Sequence, residues 1–193
     1  NNEEFTGLYI PEPVVEAGAP AAATDLAAAF AGGALTGKIA FTVPTVTYGG
    51  AELTGKVLAD VEVDGEAFVT KEFAAGERAE FDLTLTEGIH NFTVTLSTTA
   101  GESPRTGHAW YAGIDAPAAP GNVTLAPDAQ GRPVISWTAP TEGRNGGYVD
   151  PSQLTYTVVR EPAGVIVAQN LRTTSFTDNS SFESGRVYYA VRG

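Results

Sequence analysis

Along most of this chain large apolar residues alternate with polar or small ones, and one such run occurs twice. Ile39-Ala40-Phe41-Thr42-Val43-Pro44-Thr45 returns as Ile135-Ser136-Trp137-Thr138-Ala139-Pro140-Thr141. A period of two is the mark of a half-buried strand, and the closing proline cannot donate the next ladder hydrogen bond. The surroundings repeat as well: Leu26 answers to Val123, and Gly49-Gly50 to Gly146-Gly147. A repeat of roughly a hundred residues is domain-sized, so it predicts two homologous modules rather than a solenoid.

Within the first module the alternation predicts strands over Leu26–Phe30 and Leu35–Val43, then one in which Val57, Ala59, Val61 and Val63 share a face. Asp64-Gly65 signals a tight hairpin into Ala67–Phe73. Strands around Phe81–Leu85, Phe92–Leu96 and His108–Ile114 complete a set of seven. Ala27-Ala28-Ala29 has helix propensity, but Gly32-Gly33 follows within a turn and no helical stripe develops. Short strands, frequent turn signals and no helix predict an antiparallel sandwich. The second module repeats the plan with strands at Asn122–Pro127, Arg132–Ala139, Leu154–Val159, Val165–Ala168, Thr173–Thr177 and Arg186–Arg192. Its second and third strands are separated by a glycine-rich loop, Glu142 to Gln153. The expected organisation is an extended leader over 1–20, a first domain over 21–115 and a second over 116–193. Two prolines, Pro117 and Pro120, make the connecting segment an extended, semi-rigid linker.

The 193 residues hold no cysteine and no methionine, even at position 1. Thiolate metal sites and disulfides are therefore excluded, and a leader removed from the chain, or a partial chain, is expected. No apolar run approaches the ~20 residues that span a bilayer as a helix. The net charge of −12 is uneven: the leader and the first module carry all of it, while residues 116–193 balance six acids against six arginines. Neither half has the basic excess that neutralises phosphates, so nucleic acid is excluded as a partner. The acidic leader, with Pro11, Pro13 and Pro20, is too short to fold alone and reads equally as a tail or as the tether to an N-terminal lipid anchor.

Candidate chemistry is sparse. His90 and His108 both fall on strands, with no nucleophile elbow or metal-ligand spacing around them. Asp60, Glu62 and Asp64 would line one strand face at about 7 Å spacing, which does not converge on a cation. No cofactor, metal or catalytic residue is expected. The candidate binding surface is Tyr148, Asp150 and Arg144 on the long loop, joined by the aromatic residues Trp110 and Tyr111 on the last strand of the first module.

These residues resemble the fibronectin type III family of immunoglobulin-like sandwiches. Trp137 with Pro140, and Phe41 with Pro44, match the family's second strand; Tyr156, Val158 and Arg160 match its third. For the sixth strand, Tyr189 with Val191 fits, with Tyr188 competing, and Phe92 with Val94 leads to Gly101-x-Ser103. Phe92 stands where the family has its corner tyrosine, which removes a hydroxyl hydrogen bond. The resemblance implies an all-β pair of tandem sandwiches, the second without its last strand, since only four residues follow Tyr189. Truncation, or a strand supplied by another molecule, accounts for that edge, and truncation is the reading adopted. The stretch Gly146–Arg160 is also similar to tandem modules of exported lipoproteins of Gram-negative anaerobes. That implies a non-catalytic spacer or adhesin at the bacterial surface, facing a protein or glycan, with membrane contact only through a lipid anchor. The alternatives are a carbohydrate-binding module, in which Trp110, Tyr111 or Tyr148 would form an exposed platform, and an accessory region of a larger extracellular enzyme.

Overall fold

The computed structural model describes residues 14–180 and 186–193. What the sequence predicts for residues 1–13 lies outside them. The described chain is all-β apart from a single 3-10 turn at Ala31–Gly33.

The strands of the first sandwich are β1 (Thr24–Ala29), β2 (Thr36–Thr42), β3 (Lys56–Val63), β4 (Glu66–Ala74), β5 (Arg78–Thr84), β6 (Gly88–Thr98), the two-residue β7 (Gly101–Glu102) and β8 (Thr106–Ala112). The seven strands read from the alternation are all present, and β7 is an addition. One sheet has the order β1-β2-β5, the other β4-β3-β6-β7, with β8 also on β6. The sixth strand of the plan thus lies between the third and the seventh. Asp64 and Gly65 have φ of 53° and 82°, and Val63 faces Glu66 across the two-residue turn. Both central residues in the left-handed region give the hairpin its compact reversal.

The second sandwich has β9 (Gly121–Pro127), β10 (Pro133–Thr138) and β13 (Ser175–Thr177) in the order β13-β10-β9. Its other sheet is β12 (Val165–Leu171), β11 (Tyr156–Glu161) and β14 (Tyr188–Arg192), in the order β12-β11-β14. Among the described residues β14 pairs only with β11, with Arg160 opposite Tyr189 and Val158 opposite Val191. The molecule is therefore a tandem of β-sandwiches, and among the described residues β14 is an edge strand of the second.

Contacts group the chain into two compact units. One comprises residues up to Ala27, Ala40–Phe81 and Asn91–His108; the other comprises Ala28–Ile39, Asp82–His90 and Ala109–Gly193. In the first unit Phe41, fully buried, meets Phe73 edge-on at 5.9 Å and lies near-parallel to Phe81 at 6.3 Å. Val57, Ala59 and Val61 from β3 and Phe92, Val94 and Leu96 from β6 close that core. The alternating carboxylates of β3 face outward: Asp60 accepts from the Thr70 hydroxyl and Glu62 pairs with Arg105. Asp64 belongs to the turn, where it accepts from Asn91 N at 2.9 Å.

In the second unit Ile135 and Trp137 from β10 pack against Tyr156 and Val158 from β11, with Val149 and Leu154 from the loop between those strands. Trp137 and Tyr156 meet edge to face at 5.3 Å. Both rings of the repeated heptapeptide are buried, Phe41 at 0% and Trp137 at 6% exposure, so the register read from the alternation is the observed one.

Candidate functional site

The five candidate binding residues fall in the second unit, around the end of β8 and the β10–β11 loop. Their environment is set by the linker. After Ala112 the chain turns at Gly113 and runs beside that loop, with Ile114 bridging to Tyr148 and Pro117 to Gly143. Asp115 N donates to Tyr148 O at 2.7 Å, Arg144 N to Ala116 O at 2.8 Å, and Ala118 N to Glu142 O at 3.2 Å. The linker, expected to be stiffened by its prolines, is thus also bonded to that loop by a backbone ladder. A proline cannot donate, and here the donors lie at Asp115 and Ala118, on either side of Pro117.

Asp115 organises this ladder. It is 3% exposed, and its carboxylate accepts from Asn145 N at 2.7 Å, Asn145 Nδ2 at 2.9 Å and Gly147 N at 3.2 Å. Burial pushes its pKa up. The donors from the Asn145 side chain and from the Asn145, Gly147 and Ala116 backbone outweigh that, and hold the carboxyl below its ordinary value. Two glycines make the approach possible. A Cβ at Gly143 would lie 2.2 Å from Asp115 Oδ2, and one at Gly147 would lie 2.7 Å from Tyr111 Cδ1. No side chain fits either position.

The same ladder occurs in the first unit. Tyr48 N donates to Ala19 O at 2.7 Å and Ala21 N to Val46 O at 3.1 Å, while Pro20 bridges to Thr47. The loop closures match too: Gly50 N to Thr47 O at 2.9 Å, and Gly146 N to Gly143 O at 3.0 Å. Gly50 and Gly146 share positive φ, 86° and 77°. The structural repeat therefore sets Gly50 against Gly146, not Gly49-Gly50 against Gly146-Gly147 as the sequence alone paired them. Ile39 to Ile135 and Gly50 to Gly146 are the same separation, so the repeated heptapeptide itself carries this register and the turn hydrogen bond agrees with it. One feature differs between the copies. Gly49 N donates to the Ala17 backbone, whereas Asn145 N donates to the Asp115 side chain.

Tyr148 is 38% exposed and Ile114 54%. The two side chains flank Gly33, where a Cβ would come within 2.8 Å of Ile114 Cγ1 and 2.9 Å of Tyr148 Cδ1. Tyr111 lies over Gly147; burial first, then the charges of Glu87 and Asp115, raise its phenol pKa. Arg144 is exposed and joins the ladder through its backbone. Asp150 caps a turn, accepting from Ser152 Oγ at 2.7 Å and Ser152 N at 2.9 Å, and these bonds lower its pKa. Trp110 lies on the opposite face of β8 from Tyr111, stacked on Phe30 at 5.9 Å and tilted against His90 at 6.3 Å. The structure thus gathers Tyr148 and Tyr111 around the glycines of the junction and sets Trp110 apart from them. Beside the linker a cleft of about 260 Å³ is lined by Ile114, Pro117, Val149, Asp150, Gln153 and Leu154 among others.

The sequence places Asn145 on the candidate loop beside Arg144, but it did not single out Asp115. The available signal was a loop with more glycine than a turn requires, Gly143, Gly146 and Gly147, facing a segment with one acid. Among the described residues no three His, Cys, Asp or Glu side chains come together as a metal site. Among them, too, no helix is long and apolar enough to cross a membrane.

No family model and no curated protein matches the sequence. Solved structures similar to it include the central fibronectin-III array of RIM-binding protein, at 18% identity and a TM-score of 0.35 over 93% of this chain. The FN1–FN3 domains of chicken CNTN1 align at 15% identity and a TM-score of 0.32 over 89%. The chain spans 60% of each of those structures. The strand order described above is the observation on which the fibronectin III-like reading of the fold stands.

Proposed function

We propose that this chain is a non-catalytic spacer or adhesion segment of an exported bacterial surface protein. The supporting observation is the linker ladder. Ile114 to Ala118 is bonded to the β10–β11 loop at successive residues and pinned there by a buried carboxylate. Backbone bonds of this kind oppose bending at a connection that would otherwise be a hinge, which is what a spacer requires. Hydrogen exchange on the full chain tests it: the amides of Asp115, Ala118 and Arg144 are expected to exchange as slowly as those of β10. Exchange at unprotected rates would remove the support. Protease shaving of intact cells carrying the parent protein tests the surface location.

A second reading is binding of a glycan at the cleft beside the linker. Tyr148 stands half-exposed beside Ile114, which lines the cleft together with Asp150 and Gln153. An aromatic face with a few polar groups is how sugars are commonly held. A glycan array, with Tyr148→Ala as the control, separates the two readings.

A further inference from the structure

The sequence contains one Asn-Gly pair, Asn145-Gly146, and the fold places it against the Asp115 carboxylate. Asparagine followed by glycine is chemically labile, because glycine lacks the Cβ that would hinder attack by its own nitrogen on the asparagine side chain. We propose that Asn145 is a site of spontaneous deamidation which the Asp115 contact restrains, and that its conversion releases the linker from the loop. This goes beyond the spacer reading and does not depend on it.

The step balances with water alone. Gly146 N attacks Asn145 Cγ, the side-chain nitrogen leaves as ammonia, and a five-membered succinimide forms. Water then opens the ring at one of its two carbonyls to give aspartate or isoaspartate. One water is consumed and one ammonia released, with no oxidant or reductant. In the folded chain both reacting groups are engaged. The nucleophile, Gly146 N, donates to Gly143 O at 3.0 Å, and the amide under attack donates through Nδ2 to Asp115 Oδ1 at 2.9 Å. Both bonds must open before the atoms can meet, so the rate is set by local opening of the loop.

The product is incompatible with the closed junction. A donor to Asp115 becomes a carboxylate at the same place. Two like charges at hydrogen-bond distance, one of them almost fully buried, cannot both stay ionised without cost. Isoaspartate in addition lengthens the backbone inside the turn. The bonds that hold the linker, Arg144 N to Ala116 O and Asp115 N to Tyr148 O, flank the altered residue on both sides. The first loop has no such device, because Gly49 occupies the corresponding place.

The test ages the full chain at mildly alkaline pH and follows deamidation of the tryptic peptide Asn145–Arg160 by mass. Folded protein is expected to react about tenfold or more slowly than the same chain in guanidinium, with Asp115→Ala approaching the unfolded rate. Equal rates for the folded and unfolded chain, or for the folded protein and a folded Asp115→Ala, would overturn the restraint. If Asp115→Ala does not fold, Asn145→Asp supplies the decisive readout. At neutral pH its Ala118, Arg144 and Gly147 amides should exchange about tenfold faster than in the parent. The difference should narrow at mildly acidic pH, where the new carboxyl takes up a proton and can donate again. Identical protection at neutral pH would overturn the release.

Discussion

The Tyr189 hydroxyl donates to Asp178 Oδ2 at 2.8 Å, deep in the second sandwich. The same carboxylate accepts from Arg160 Nη1 at 2.9 Å and from Ser180 N and Oγ. Asp178 is 2% exposed, so the ion pair with Arg160 is a buried one. The first sandwich replaces these strand positions together. On its paired strands Val63 faces Phe92, where Arg160 faces Tyr189 in the second. Phe92 is fully buried and meets His108 edge-on at 5.7 Å. The missing hydroxyl is thus accompanied by a missing cation, and an apolar pair takes the place of a polar one.

Unequal costs are expected on the two sides of that bond. Tyr189→Phe removes one donor from a carboxylate that keeps three others, and should cost about 1–2 kcal/mol. Asp178→Ala takes the carboxylate away from a largely buried guanidinium that keeps the Ser180 hydroxyl, and should cost about 3–5 kcal/mol. Urea unfolding of the two variants, at matched m-value, checks both. Equal losses would show that the remaining partners of Arg160 compensate for the lost carboxylate.

The same groups set the pH limits. Burial pushes Asp178 up, but hydrogen bonds from Ser180, Tyr189 and Arg160 prevail and leave its pKa lowered, as donors do for Asp115. A depressed carboxyl contributes stability that is complete above its unfolded value and is lost as pH falls through the folded one. Tyr189 behaves oppositely. Burial, then its bond to Asp178, push its phenol from 10.0 to about 12. Its contribution is therefore complete below 10.0 and lost as pH rises toward about 12. The urea midpoint should be flat through neutrality and fall at both extremes. Tyr189→Phe should make the alkaline limb shallower and, by removing one of the donors that lower Asp178, weaken the acid limb to a lesser degree.

How much of this was legible beforehand follows from the physics of each part. Period-two alternation reports burial directly, so the strands around Phe41, Val61, Phe92, Trp137 and Val158 could be read from sequence. Asp64-Gly65 could be read because few residues tolerate two left-handed positions in a row. Asp115 could not, since a carboxylate in a proline-rich linker looks solvated until its three donors, thirty or more positions away, are in place. Asp178 was hidden for the same reason: its significance depends on Arg160 and Tyr189, which meet it only in the folded sandwich. The candidate aromatics illustrate the middle case. Trp110 and Tyr111 are neighbours in sequence, yet alternation sends them to opposite faces of β8, one onto Phe30 and the other onto Gly147.

Trp137 offers a test of packing against polarity. It is packed among Ile135, Tyr156 and Val158, yet its buried Nε1 has no hydrogen-bond partner among the described residues. Trp137→Ala opens a cavity and should cost about 3–5 kcal/mol. Trp137→Phe keeps an aromatic ring against Tyr156 and removes the unpartnered donor, so about 1–2 kcal/mol is expected. Thermal or urea unfolding distinguishes the pair. If Trp137→Phe costs as much as Trp137→Ala, the indole nitrogen is satisfied and contributes to stability.

Glycine substitutions separate close approach from mere flexibility. Gly143 faces Asp115, and a methyl there would overlap its carboxylate, with Oδ2 only 2.2 Å away. Overlap with a pinned, buried side chain cannot be relieved by a small rotation, because Asp115 is fixed by donors on both oxygens. Gly143→Ala should therefore expel the carboxylate and cost about 1–3 kcal/mol, with loss of amide protection at Asn145 and Gly147. At Gly121, where β9 starts, an added methyl would meet no atom within 4 Å, and φ is not left-handed. Gly121→Ala should stay within about 0.5 kcal/mol of the parent, and the gain in strand preference favours a slight stabilisation. Exchange rates at Asn145 read the outcome independently of global stability. Protection retained in Gly143→Ala would mean that the loop can shift as a body to admit the methyl, and that the Asp115 contact does not depend on glycine at this position.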